Sequence, residues 1–363
     1  MARVPVATEK KTLEKKSFSL SNFKAESGLN EGVKDKDLTW ITLSPAFQEA
    51  TGSPGIPKGY VSISRGHSNT GKTTSLMEAF VSCQKMGIVP VWIDTENNFN
   101  WAHAKEMGAE FEEIWNEETG EVISYKGEFI YINNEYLINH FGKKIDKNRD
   151  EATIENVKDF CHSLLDQQAK GELPCELCFL WDSVGTLDCE KSLQSDKGNN
   201  MWNAGAMASS FMSLLNARIP GSRKEGRAYT NSFFVVQKIW MAPNPIGIAS
   251  IKHKGGDSVW YASRFLLHFG GHNGASTKRL TATIKGRTYG WGTQVALKCV
   301  KNHVTGVELE GEIISTPHGF IGADKESVDA YKKEHRDYLV RMCEVEDDGS
   351  EIVFDESEVK DGE

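Results

Sequence analysis

The chain has 363 residues, 39% hydrophobic and 26% charged, which is enough for one large core and ordinary for a soluble globular protein. Its seven cysteines are odd in number and scattered, which argues against a disulfide framework, and no apolar run reaches the length of a membrane span. The formal net charge of −9 is gathered in one place, because Glu344 to Glu363 holds ten carboxylates and one lysine; the rest of the chain is neutral, so a nucleic-acid partner is not excluded.

Residues 1–36 are polar and lack the apolar stretch of a secretory signal, so the chain is expected to stay in the cytoplasm. Phe18 and Leu20 alternate as in a short strand, with Phe23 following. The segment reads as an oligomerisation arm, or as a strap on its own domain. From Leu38 onward the text turns into strand–helix units. "YVSIS" (Tyr60 to Ser64) is a strand, "TTSLMEAFVSCQKMG" a helix ending at Gly87, "IVPVWID" a strand ending at Asp94, and "AHAKEMG" a short helix. A polar insertion from Asn116 to Gly127 reads as a β-hairpin before the strand "EFIYIN". A helix over 151–170 leads to the apolar strand "LCFLWD", and one over 203–217 leads to the strand "SFFVVQ". Cys175 and Cys178 form a lone CxxC at the start of a strand; without a second pair it reads as small side chains, not as zinc or redox ligands.

After Trp260 the pattern changes to strands, "RFLLHFG", "RLTATIKG", "QVALKCVKN" and "VELEGEII", then a helix over 325–342. Strand–helix alternation followed by a strand-rich end predicts a largely parallel sheet with an antiparallel extension. The acidic end, 344–363, reads as a solvated, disordered tail, whose sharper role would be to compete with DNA for a basic surface.

The chemistry begins at Gly66-His67-Ser68-Asn69-Thr70-Gly71-Lys72-Thr73-Thr74, a phosphate-cradling loop set between a strand and a helix. Its backbone N–H groups and the helix start would hold phosphates. Lys72 would neutralise β/γ-phosphate charge, and the Thr73 hydroxyl would ligate Mg²⁺. ATP and Mg²⁺ are therefore the expected cofactors. Asp182, closing a buried strand taken to neighbour the loop, supplies the carboxylate on the metal side. Glu96, two residues past "VWID", faces the same crevice and is the candidate catalytic base.

With these residues in place, the ordered motifs "GIPKGYVSISRGHSNTGKTT", "VWIDTE", "FLWDSVGTL", "VVQKIW", "KGGDSVWYAS" and "VKNH" span residues 38–320, and the chain resembles the RecA recombinase family, including its phage UvsX-type members. The resemblance implies an α/β fold, a RecA-type P-loop ATPase core with a mostly parallel twisted sheet flanked by helices and an antiparallel extension. It assigns water activation to Glu96 and γ-phosphate sensing to Gln237, a glutamine ending the strand before a DNA loop. It assigns contact with the adjacent subunit's nucleotide to Lys301, while His303 departs from the family's second lysine. The adenine contact falls at His103, with Trp101 close by.

The same resemblance places two DNA-binding loops. One is 195–203, with Lys197, Asn199, Asn200, Met201 and Trp202; the other is 238–256, with Lys238, Met241, Ile246, Ile248, Lys252, Lys254, Gly255 and Gly256. Lysines and amides can hold phosphates, and an apolar side chain can enter between bases. Two basic stretches, Arg218 to Arg227 and Lys278 to Arg287, extend a DNA channel or form solvated faces.

The domains expected are an arm (1–36), the ATPase core (37–321), a C-terminal helix (322–343) and the acidic tail. Only one helix and the tail follow Phe320, whereas bacterial relatives carry a small duplex-capturing domain there. The function implied is an ATP-dependent recombinase, a DNA-dependent ATPase that forms head-to-tail helical filaments on single-stranded DNA and pairs it with homologous duplex. A single-strand-binding protein or a loading mediator would be a further partner, a bacterial cytoplasm the location if the chain is phage-encoded, and no membrane is involved. The alternatives are a RecA-fold ring helicase or motor, and an ATP-regulated filament that coats DNA without strand exchange.

Overall fold

A computed structural model describes residues 19–28, 34–142, 151–194, 200–242, 250–253, 257–270, 277–345 and 352–354. In chain order, β1 (Trp40–Thr42) and β2 (Gly55–Pro57) pair around a short helix, Pro45–Thr51. There follow β3 (Val61–Gly66), β4 (Val89–Asp94), the hairpin β5 (Glu112–Trp115) and β6 (Val122–Lys126), β7 (Ile130–Asn133), β8 (Leu177–Val184) and β9 (Ser232–Ala242). The C-terminal part supplies β10 (Ser250–His253), β11 (Phe265–Phe269), β12 (Thr277–Ile284), β13 (Arg287–Asn302), β14 (Glu310–Thr316), β15 (Gly319–Gly322) and β16 (Val353–Phe354).

One sheet runs in the order β15-β14-β13-β11-β3-β9-β8-β4-β7, with β10 on β9, β12 on β13 and β16 on β12. From β11 to β7 every pair is parallel, and from β11 to β15 every pair is antiparallel. The period-2 alternation of side chains sorts the core into two layers. Val91, Ile93, Phe179, Trp181, Phe233 and Val235 face one layer with the helix Ile154–Lys170. Trp92, Cys178, Leu180, Phe234 and Val236 face the other with the helix Lys72–Lys85. A third cluster joins β12, β13 and β14 to the C-terminal helices through Leu280, Trp291, Val328, Tyr331 and Leu339. Cys178 is buried in β8 and Cys175 half-buried before it, with no third metal-binding side chain grouped there among the described residues.

Several expectations need correction. Leu20 begins a helix, Leu20–Glu26, capped by the Ser19 side chain, rather than a strand, and Phe18 lies outside the described residues. A serine cap fixes a helix start more firmly than two alternating apolar residues fix a strand. The C-terminal helix is two, Lys325–Glu334 and Arg336–Met342, broken at His335, where the backbone leaves the helical region (φ −106°, ψ 24°). The acidic segment is not wholly a loose tail, because β16 pairs with Ala282 and Thr283 of β12. There the Phe354 ring meets Trp291 edge-on and Lys332 lies over it. Of the two basic stretches, Arg218 to Arg227 is held in ion pairs at the end of the sheet away from the phosphate loop: Arg218 with Asp166, Arg223 and Lys224 with Asp35. Among the described residues no helix is long and apolar enough to cross a membrane.

Candidate active site

The phosphate loop leaves the C-terminal end of β3, which lies between β11 and β9 in the parallel region, where such sheets open a crevice. Its glycines are there for space and for backbone conformation. A Cβ on Gly66 would stand 2.4 Å from the Phe269 carbonyl oxygen. Gly71 has φ of +90° and would meet the Phe320 ring at 3.0 Å. The helix Lys72–Lys85 starts from Gly71 with no side-chain cap, which leaves its first-turn N–H groups for an anion.

Lys72 is buried and its ammonium curls back to donate to the His67 carbonyl and, at 3.4 Å, to Thr70 Oγ1. Burial lowers its pKa to about 8, and the carboxylate of Asp182 acts in the opposite sense. The Thr73 hydroxyl donates to Asp182 Oδ2 at 2.7 Å. Asp182 is pushed up to about 6, mainly by burial. Its strand was expected to neighbour the loop and to end at the aspartate; instead β9 lies between β3 and β8, and β8 continues to Val184. The side chains meet because Asp182 and Thr73 both rise into the crevice above β9.

Glu96 sits on a loop whose shape is set by Asp94. Asp94, fully buried at the end of β4, accepts from the N–H groups of Glu96 and Asn98 at 3.2 Å each and of Phe99 at 2.9 Å. Its Oδ2 also accepts from the Tyr131 hydroxyl at 3.1 Å. The carboxylate of Glu96 then accepts hydrogen bonds from the Ser183 hydroxyl and from Lys238 Nζ, the latter at 2.7 Å. Gln237 is fully buried, opposite Arg65 of β3 in register. It does not end its strand, since β9 runs on to Ala242 and pairs with β10 as a two-stranded ribbon.

Beside the phosphate loop, a polar cavity of about 520 Å³ is lined by Asn69 to Thr74 with Arg279, Thr293 and Ser315. An adjoining cavity of about 640 Å³ shares Thr74, Arg279, Thr293 and Ser315, and adds Asn100, His103, Trp291, Pro317, Tyr338 and Arg341. Thr74 and Ser315 join their hydroxyls at 2.8 Å. His103 Nε2 is buried with no hydrogen-bond partner among the described residues, and burial lowers the ring's pKa. Trp101 is turned elsewhere, stacked on Tyr125 of the hairpin at 3.7 Å and packed edge-on to Phe99 and Phe111. A loop with an uncapped helix start, an ammonium, a hydroxyl beside a carboxylate, and a neighbouring cavity with an orphaned imidazole nitrogen together fit a nucleoside triphosphate. Magnesium fits the oxygens of Thr73 and Asp182, since it takes one or two protein oxygens and completes its shell with phosphates and waters.

Lys301 is nowhere near its own phosphate loop. It pairs with Leu266, which pairs with Ile63. It is therefore three residues below Gly66 and two strands aside, about 10 Å in each direction. Its ammonium donates to the Trp260 carbonyl at 2.8 Å and lies 4.6 Å from that ring's centre. His303 is exposed beside it.

The DNA-loop candidates are placed only in part. Lys197, Asn199, Ile246, Ile248, Lys254, Gly255 and Gly256 lie outside the described residues. Asn200, Met201 and Trp202 belong to the helix Asn200–Ser210 rather than to a loop. Trp202 packs against the core with Lys191 over its ring, so it is not an open wedge. Met241 and Lys252 are backbone partners in the ribbon, opposite Ile251 and Trp240. Asp94, Ser183, Arg279 and Ser315 were not anticipated at the site. The alternation that buries Leu280 points Arg279 away from the core, and that was the one signal available for it.

Comparison with known proteins finds the RecA N-terminal domain family model matching residues 25–122. Proteins named RecA are similar over part of the chain. That of Mycoplasma genitalium is 31% identical over 115 residues, covering 31% of this chain and 34% of its own length. The Nitratidesulfovibrio vulgaris protein is 30% identical over 121 residues (31% and 34%), and that of Aquifex aeolicus 32% over 116 (30% and 33%). The chain spans about a third of the length of the curated relatives it matches.

Proposed function

We propose, from the match of residues 25–122 to the RecA N-terminal domain and the mostly parallel α/β core, that the chain is a DNA-dependent ATPase that assembles head to tail on single-stranded DNA and promotes homologous pairing and strand exchange. The observation that carries this reading is the meeting of Lys72, Thr73, Asp182 and Glu96 in one crevice, with Gln237 and Lys238 leading from it into the β9–β10 ribbon.

Lys72 and the loop N–H groups hold the β- and γ-phosphates. Thr73 and Asp182 would hold magnesium, which would supply positive charge against the phosphates. Glu96, fixed by the Asp94 network, accepts a proton from the attacking water. Gln237, at the level of the loop on the strand beside β3, responds to the γ-phosphate, and the ribbon carries that response to DNA. The base occupies the cavity with His103, Pro317 and Tyr338.

Lys301 acts on the next subunit's nucleotide. Its distance from its own phosphate loop leaves a neighbour as its partner, and a head-to-tail interface that does not close generates a helical filament. The arm, residues 1–36, is the proposed subunit link. Identity near 30%, confined to about a third of the chain, supports reading it as a divergent member; the UvsX-type assignment rests on the resemblance of its motifs. Phosphate release with and without single-stranded DNA, imaging with a slowly hydrolysed ATP analogue, and a displacement-loop assay test the proposal. Closed rings, or hydrolysis indifferent to DNA, would sink it; filaments without displacement loops would leave a DNA coat in place of a recombinase.

A further inference from the structure

In the arrangement described, Glu96 has one carboxylate oxygen fully engaged by donors of the chain. Its side chain is 14% exposed, and both carboxylate oxygens accept from donors of the chain itself. The Ser183 hydroxyl donates to Oε1, and Lys238 Nζ donates to Oε2 at 2.7 Å, with Asn98 Nδ2 at 3.3 Å on the same oxygen. A general base needs a free oxygen within hydrogen-bond reach of the water it deprotonates. Oε2 is opened to water only when Lys238 or Asn98 leaves it.

The three differ in freedom. Ser183 is fully buried in β8 beside Asp182. Asn98 is exposed and its neutral amide makes the longest contact, 3.3 Å, with its backbone N–H held by Asp94. Lys238 alone is cationic, long and 38% exposed along its side chain. It pairs with Gly66 at the root of the phosphate loop, immediately after the buried Gln237, and one residue before the ribbon begins at Ile239. An ammonium held by a single carboxylate at a partly solvated site is readily exchanged onto another anion.

We infer that Lys238 is a clamp on Glu96 which a phosphate of single-stranded DNA, arriving at the β9–β10 ribbon, releases. Without DNA the lysine occupies the oxygen needed for water; with DNA it moves to the strand's backbone and Glu96 turns over. Lys238 is thereby a positioning residue, coupling DNA occupancy to hydrolysis by exchange of one ion pair. This rests on the reading of Glu96 as base and of the ribbon as part of the DNA surface.

The test compares the wild type, Lys238→Gln and Lys238→Arg in steady-state ATPase with and without single-stranded DNA. Lys238→Gln should raise the DNA-free kcat about tenfold, the low end of what a freed general base contributes being larger still. KM for ATP should not change, and stimulation by DNA should fall toward unity. Its DNA affinity should lose about one phosphate contact's worth of salt dependence. Lys238→Arg, which keeps the cation, should restore both repression and stimulation. A DNA-free kcat at or below wild type in Lys238→Gln, with stimulation intact, overturns the clamp and leaves the proposed function standing. A change confined to KM for ATP also overturns it, by making Lys238 a nucleotide ligand. A wild type that DNA does not stimulate removes both the clamp and the DNA-dependent ATPase.

Discussion

Lys72 and Asp182 are each buried, and each keeps the other's charge affordable: the pKa of the lysine is pulled down to about 8 and that of the aspartate pushed up to about 6, both chiefly by loss of water. Replacing one partner leaves the other an isolated buried ion. Asp182→Asn should lower kcat by about two to three orders of magnitude, the scale of removing one preorganised electrostatic group. Nucleotide binding measured without magnesium should survive, and the gain on adding magnesium should vanish in a fluorescent-nucleotide titration. Gly66→Ala tests the backbone instead. A methyl 2.4 Å from the Phe269 carbonyl forces β3 and β11 apart, which costs about 1–3 kcal/mol, readable as a lowered unfolding midpoint together with weakened nucleotide binding. At this scale the sequence was informative where chemistry and spacing coincide, as at Lys72 and Thr73. It was silent about Asp94 and Ser183, whose part is to hydrogen-bond residues far along the chain or to fix a turn. Nothing in a lone Asp or Ser announces that.

The strands of the parallel region were legible because each is a short apolar run bounded by turn residues. The pieces that failed were those decided by contacts rather than by local pattern. A break at His335 interrupts an otherwise helical stretch, where the ring stacks on His318 at 3.7 Å; β16 forms because Phe354 finds Trp291. The helix Arg336–Met342 walls the larger cavity through Tyr338 and Arg341, and Arg341 meets Glu106 at 2.7 Å. His318 lies 3.4 Å from the same carboxylate. Burial holds the pKa values of His103 and His318 below the usual 6.5, with His335 adding to the effect on His318. The sign follows from linkage. Below pH 6.5 the unfolded chain takes up protons that these buried rings refuse, so stability rises with pH in that window and is lost as pH falls. Acidification from pH 7 to 5 should therefore loosen the Arg336–Met342 helix first, seen as faster amide exchange in that helix than in β3 or β8. His318→Asn should flatten the dependence.

At the scale of the whole molecule, the proposed function asks for a site completed between subunits, which no single-chain reading of propensity could reveal. The sheet puts Lys301 at the level of Ile63 and the phosphate loop beyond Gly66, so the distance that separates them is built into the register of three strands. That register depends on non-local pairing, which periodicity alone does not specify. A split site has a genetic consequence. On the proposed function, Lys301→Ala removes the cation that a subunit lends and Glu96→Gln the base that it uses itself, so each variant alone should hydrolyse little ATP even when fully assembled on DNA. Mixed in equal amounts, some interfaces unite an intact Glu96 from the first variant with an intact Lys301 from the second. For random head-to-tail assembly about a quarter of interfaces are of this kind, and DNA-stimulated phosphate release should recover to roughly that share of the wild-type rate, with a maximum near equal mixing. A lysine working within its own subunit would give no recovery at any ratio, because every Lys301→Ala subunit would stay inactive and no Glu96→Gln subunit could gain a base. The mixing curve thus separates a contact made between subunits from one made inside a subunit without needing an image of the filament.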